Sequence, residues 1–211
     1  MKINHFCSLG TLCHSSHLLK RNNLKKCSYP FDWIFSNCNM ISHCLDDDFN
    51  IFLDKSYYID LKHKCGHSYY HKSLFNHHNP LNYYDYDYFI RCIERFKYLL
   101  KSHETKLFII IYVNMNKDER NEVIEFNKTL SKYTSNYKLF VINHQKNIVR
   151  HHYFDYMDNI DFLYLYTLSN SDGKEFENVD DNLYLDRIIE SKYKSKGDYT
   201  DFEKILKFFN I

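Results

Sequence analysis

The chain contains no alanine, two prolines, four glycines and a single tryptophan in 211 residues. So few glycines exclude the Gly-rich cradles that wrap nucleotide phosphates, and no P-loop, GxGxxG or GxSxG pattern occurs. No apolar run approaches the roughly 20 residues of a membrane-spanning helix. The longest, Leu107 to Val113, has the length of a strand. The opening Met1-Lys2-Ile3-Asn4-His5 lacks the apolar stretch and small-residue cleavage pattern of an export signal. The seven cysteines include no CxxC pair, and their odd number argues for reduced thiols in the cytoplasm rather than a disulfide framework. Excess charge is missing too: 28 Lys and Arg face 27 Asp and Glu, for a net charge of +1. That balance argues against nucleic acid or an acidic membrane surface as partner. Splitting the chain after Ile110 gives 14 basic against 10 acidic residues, then 14 against 17, too even for a basic arm or an acidic tail.

What is abundant is aromatic: 20 Tyr and 17 Phe, in a chain that is 44% hydrophobic. Tyr, Phe, Asn, Lys and Ile have AT-rich codons, so an AT-rich genome explains the bias before ligand stacking does. A large DNA virus, a protist or a low-GC bacterium fits, and a viral protein would act in the host cytoplasm. The length and apolar content predict one domain over residues 1–211.

Periodicity gives the coarse order of elements. Ile3 to Gly10 reads as a strand closed by a glycine turn. A helix follows over Leu12 to Asn22, with Thr11 or Ser8 as its cap and Leu18 and Leu19 inward. Pro30 keeps Tyr29 out of a helix, and Cys27 to Ile34 is irregular. Ser36 then caps a helix through Met40, Ile41, Cys44 and Leu45. Asp48 to Pro80 forms a His- and Tyr-rich insert, with extended pieces at Tyr57 to Leu61 and His67 to Tyr70. Asn82 to Ser102 is the clearest helix, and Lys106 to Val113 is a strand apolar on both faces. Asn116 and Glu119 start a helix, capping-box fashion, that reaches Tyr133. Strands at Tyr137 to Asn143 and Phe162 to Thr167 precede helices at Asp180 to Lys194 and Tyr199 to Asn210. The expected fold is α/β: a layered, Rossmann-like, mostly parallel sheet flanked by helices, with an irregular insert.

In such sheets ligands meet the carboxyl ends of strands and the amino ends of the following helices, which here is Ser8 to Cys13. Gly10 allows a sharp turn and Cys13 falls in the first helical turn, where free N–H groups favour a thiolate and lower its pKa. Ser8, Thr11 and the loop amides are candidates to hold an oxyanion. A thiol nucleophile needs a base and an acid to orient that base. His77 and His78, in a loop ahead of the long helix, are the candidate bases, and Asp32, next to Trp33, is the candidate acid. The plainer readings are a small buried Cys13, a turn aspartate at Asp32 and a solvated loop histidine at His77. His63, Cys65, His67 and His71 share one face of an extended strand and could hold zinc. Gly66 breaks that strand, so neither metal nor another cofactor is expected.

The segments Ser8-Leu9-Gly10-Thr11-Leu12-Cys13 and Ser28-Tyr29-Pro30-Phe31-Asp32-Trp33-Ile34 together resemble a family of papain-like cysteine peptidases. That family is a domain of unknown function in bacteria and large DNA viruses. Shared features are an SLGxxC start, a PFDW segment and a later Asn-His-Asp-type motif before a helix and an apolar strand. The likeness covers the first half by motif and the rest by element order. It implies Cys13 as nucleophile, His77 as the histidine and Asp32 as a third member, with Ser8, Gly10, Thr11, Trp33 and His78 on the substrate side. His78 stands where an acid is usual, so the choice between His77 and His78 stays open. The label also implies a papain-like α+β fold, whereas the element order favours the parallel sheet.

Three functions follow. The first is a thiol hydrolase acting on a peptide through Cys13, His77 and Asp32. The second is an SGNH-like esterase or sugar-handling transferase using Ser8 on an acyl or glycan substrate. The third is a non-catalytic module whose insert binds a glycan or protein.

Overall fold

Side chains alternate along the strands of a five-stranded sheet, and helices cover both of its faces. The computed structural model describes residues 2–62 and 64–193. In chain order it has β1 (His5–Gly10), α1 (His14–Arg21), α2 (Cys38–Asp46), α3 (Asn50–Leu53), β2 (Tyr58–Asp60), β3 (Cys65–His67), β4 (His71–Phe75) and α4 (Tyr83–Lys101). These are followed by β5 (Lys106–Val113), α5 (Lys117–Tyr133), β6 (Tyr137–Lys146), β7 (His151–Met157), β8 (Ile160–Thr167) and α6 (Val179–Tyr193). The main sheet runs β1-β5-β6-β8-β7; its first four strands are parallel and β7 is antiparallel to β8.

Two apolar clusters follow from the strand period. Phe108, Ile110, Leu139 and Val141 pack under α2, α4 and α5. Leu107, Ile109, Phe140 and Ile142 pack under α1 and α6, against Leu18, Leu19, Leu185 and Ile189. Each such side chain stabilises the fold by about 1.5–3 kcal/mol relative to exposure. No helix among the described residues is long and apolar enough to cross a membrane.

The α/β architecture expected from the sequence is the one observed, and several elements lie where their patterns put them. Asn82 caps α4, its side chain accepting from Asp85 N at 2.9 Å, and Asn116 and Glu119 form the capping box of α5. Other details differ. Neither Ser8 nor Thr11 caps α1: Cys13 occupies the N-cap and gives no side-chain cap. Asn37, not Ser36, caps α2, accepting from Met40 N at 2.8 Å, because the Ser36 hydroxyl is spent on Leu9 O at 2.7 Å. The insert is more regular than expected, forming a three-stranded antiparallel sheet, β2-β3-β4, with 68–70 as a turn. β7 escapes the sequence reading because HHYFDYM carries no clean alternation; most of it is exposed at the sheet edge. The helix expected at Tyr199 to Asn210 lies outside the described residues.

The supposed metal row is split by the same insert. Cys65 and His67 are on β3, whereas His71 pairs with His67 from β4. His67 Nε2 donates to Ile51 O at 3.1 Å and its Nδ1 accepts from Tyr69 N at 3.3 Å, so both ring nitrogens are spent. His63 lies outside the described residues. Among those described, no three His, Cys, Asp or Glu side chains converge as a metal site.

Candidate active site

The corner between β1 and α1 is built by small residues. Gly10 has φ +106°, and a Cβ there would run into Ser36 Oγ, so both conformation and space require glycine. Thr11 gives its N–H and its hydroxyl to Ile111 O, at 3.3 and 2.9 Å. Ser8 is fully buried, and the Ser8 and Ser15 hydroxyls lie 2.7 Å apart. Ser15 Oγ donates to Gly10 O at 2.9 Å, which leaves Ser8 as donor to Ser15. Ser8, Gly10 and Thr11 therefore brace the corner, and the Thr11 amide is already engaged. The first α1 acceptor in use is Cys13 O, bonded by His17 N at 2.9 Å. Among the described residues, the N–H groups of His14, Ser15 and Ser16 meet no acceptor, as the opening turn of an uncapped helix leaves them.

Cys13 and Cys27 are half-buried, and the other five cysteines are sealed. The Cys13 thiol is pushed up from its ordinary pKa, first by burial and then by the Asp32 carboxylate, with its own backbone N–H pulling the other way. This corrects the expectation of a depressed thiol. The helix start is offset by desolvation and by a nearby anion. Among the described residues, no imidazole is hydrogen-bonded to Cys13. A cavity of about 380 Å³ opens beside the corner, lined by Thr11, Leu12, Ser36, His71 and Glu119 among others. Cys13 and His77 are not among its lining residues.

Asp32 is buried in the turn after Pro30, and Lys25 is its main partner. Lys25 Nζ forms an ion pair with Asp32 Oδ2, donates to Ser16 Oγ at 2.7 Å and sits 5.3 Å from the centre of the Trp33 ring. Tyr29 N also donates to Asp32 Oδ2, at 2.8 Å, while Oδ1 is buried without a hydrogen-bond partner. Burial raises the Asp32 pKa and Lys25 opposes it. Trp33 meets the edge of the His77 ring at 6.3 Å. His77 is exposed, and its pKa is lowered by partial burial and by His78. His78 faces Asp85 Oδ1 at 3.1 Å and stacks on Tyr88 at 4.4 Å. The structure thus links Cys13 to Asp32 by field, and Asp32 to His77 through Lys25 and Trp33. No hydrogen bond joins Asp32 to an imidazole among the described residues.

Sequence reasoning missed three groups. Lys25 gave no signal, since lysines crowd that loop. Asp85 was legible as the third helical residue after Asn82, a helix-start pattern. The third group is a buried imidazole pair. His14 Nδ1 meets Ser171 Oγ at 2.9 Å, and His144 Nε2 meets Thr167 Oγ1 at 2.7 Å. Both rings pack on Phe176, at 4.7 and 4.5 Å. Thr167 already donates its proton to Ser169 O at 2.8 Å, so His144 carries its proton on Nε2. Its Nδ1 and the Nε2 of His14 are buried without partners. Burial holds the pKa of His14 at about 3 and that of His144 at about 4.

A family model described as "Putative papain-like cysteine peptidase" matches residues 4–147. That span runs from the start of β1 through β6 and contains Cys13, Asp32, His77 and His78. Neither a curated protein nor a solved structure matches the chain.

Proposed function

Because the chain belongs to the papain-like cysteine peptidase family, we propose that it cleaves peptide bonds, with Cys13 as nucleophile and His77 as proton carrier. The observation that carries this reading is the place of Cys13. It is a half-exposed thiol at the carboxyl end of β1, next to three unengaged helix N–H groups. In the proposed cycle Cys13 Sγ attacks the scissile carbonyl carbon while its proton passes to the imidazole. The helix amides hold the oxyanion. Collapse breaks the C–N bond, the imidazolium protonates the leaving amine, and water then hydrolyses the thioester. Because burial and Asp32 raise the thiol pKa, the base takes the proton as the substrate arrives rather than holding a resting ion pair. Asp32 acts through the Lys25–Trp33 contact that backs His77, rather than by a direct bond to the ring.

One observation favours a second assignment of the base. His78 already has a carboxylate partner in Asp85, the base-and-orienter arrangement that nucleophilic enzymes use. A peptide-library digest compared across Cys13→Ala, Cys27→Ala, His77→Ala and His78→Ala separates these readings. Loss of cleavage in Cys13→Ala and His77→Ala, but not in Cys27→Ala, is expected, with Cys13 labelling by an electrophilic thiol probe slowed in His77→Ala and Cys27 labelling retained in both. Retained cleavage in Cys13→Ala overturns the reading, and selective loss in His78→Ala moves the base by one residue.

A further inference from the structure

The carboxyl ends of β1 and β5 are where the chain divides between the two faces of the sheet. The two strands are parallel neighbours, yet the helices that follow them part. α1 packs on one face through Leu18 and Leu19, and α5 packs on the other through Val123 and Phe126. Helices that diverge from adjacent strands leave a crevice between them, the place where open α/β sheets bind ligands. The register pairs Gly10 with Ile110, so Tyr112 and Val113 run on past the end of β1. The cavity of about 380 Å³ lies in this crevice, reaching Thr11 and Leu12 on one side and Glu119 of α5 on the other. Cys13 follows Leu12 directly in the chain.

The lining sorts into an aromatic wall and one fixed charge. Phe35, Met40, Tyr70 and Tyr112 supply ring and thioether surface, and Glu119 is the only Asp, Glu, Lys or Arg among the described lining residues. The hydroxyls of the wall are engaged: that of Tyr112 lies 3.3 Å from Cys38 Sγ and that of Tyr70 2.8 Å from His43 Nδ1. Glu119 Oε2 accepts from Asn116 N at 2.8 Å, but no basic side chain pairs with this carboxylate among the described residues. Behind burial and Cys38, the Glu122 and Glu119 charges both push the Tyr112 hydroxyl above its ordinary pKa. Asp47 does the same at Tyr70, behind burial and Cys44. Negative charge without a cation thus borders an apolar wall. A space at the small end of ligand pockets suits one long side chain, its methylenes on the rings and its cationic end at the carboxylate.

We infer that this crevice is the specificity pocket of the proposed peptidase and takes an arginine or lysine side chain of the substrate, whose charge Glu119 receives. The inference rests on the peptidase reading, and two measurements keep the two apart. The first is a digest, by the full chain, of peptides that carry Arg, citrulline or Glu at one varied position. Citrulline keeps the shape of arginine without its charge. At a fixed position from the scissile bond, Arg is expected to be cleaved about tenfold faster than citrulline, and Glu slowest. Glu119→Gln should bring the ratio of Arg to citrulline close to one. Its amide oxygen can still accept from Asn116 N, so the capping box is kept. The second measurement is fluorescence anisotropy of labelled Arg and citrulline peptides on Cys13→Ser, which cannot consume them through the thiol. The same preference should appear there and vanish when Glu119→Gln is added. Cleavage without an Arg preference, or a preference that survives Glu119→Gln, overturns the pocket and leaves the peptidase reading standing. Arg-selective binding without digestion by the parent chain sinks the peptidase reading and keeps the pocket as a binding site for basic peptides. Absence of both cleavage and selective binding overturns both.

Discussion

Lys25 grips the Asp32 carboxylate and lies over the Trp33 ring at the same time, with its side chain 12% exposed and that of Asp32 1% exposed. One ammonium thus fixes the irregular turn of the PFDW segment against Ser16 of α1. Removing one partner of a buried pair strands the other charge, which costs far more than the pair itself contributes.

Lys25→Met is therefore expected to destabilise the protein by about 3–5 kcal/mol, the range for a broken buried pair. The double change Lys25→Met with Asp32→Leu should recover most of that loss. Urea unfolding of both variants measures this; equal stability of Lys25→Met and the parent chain would refute it.

Gly10→Ala should lose about 1–3 kcal/mol from backbone conformation alone, and more from the collision of the new methyl group with Ser36 Oγ. Ser36→Gly added to Gly10→Ala should relieve the collision but not the backbone cost. Thermal unfolding of the single and double variants separates the two contributions.

The thiols give a third expectation. In the native protein only Cys13 and Cys27 should react with a disulfide reagent, and the five sealed cysteines should follow on unfolding. The labelling rate of Cys13 should rise with pH at a midpoint above that of free cysteine, because burial and the Asp32 charge disfavour its thiolate. Asp32→Asn should move that midpoint down.

Acid stability tests the imidazole pair under Phe176. Both histidines are held neutral, at about 3 for His14 and about 4 for His144, against 6.5 in the unfolded chain. As pH falls through 6.5 the unfolded state takes up protons that the folded state refuses, so stability falls with pH. The decline from this pair ends near the folded values. A tenfold difference in proton affinity between the two states corresponds to about 1.4 kcal/mol. Arg21 and His17 oppose protonation of His14 while Asp172 favours it, and Asp181 favours that of His144. Urea midpoints measured between pH 7 and about 4 should show a shallower slope in His144→Gln than in the parent.

Much of the fold was legible because one-dimensional patterns carried it. The seven apolar residues from Leu107 to Val113, the capped start of α4 and the Asn116–Glu119 box each specify an element locally. What failed was decided between distant segments. Ser36 lost its capping role to Leu9 O, twenty-seven residues away, and β7 exists because β8 pairs with it rather than because of its own alternation. At the site, Cys13, Asp32 and His77 were visible as residue types in suggestive loops. The raised thiol pKa and the Lys25 link depend on burial and on a tertiary ion pair, which spacing does not encode.

At the opposite rim of the sheet, β7 presents seven residues with continuous register to β8 and no proline, lysine or bulge. Those are the usual defences against neighbours joining a sheet. Among the described residues β7 is thus an edge open to pairing, and at high concentration a second copy is expected to join the sheet there before the interior opens.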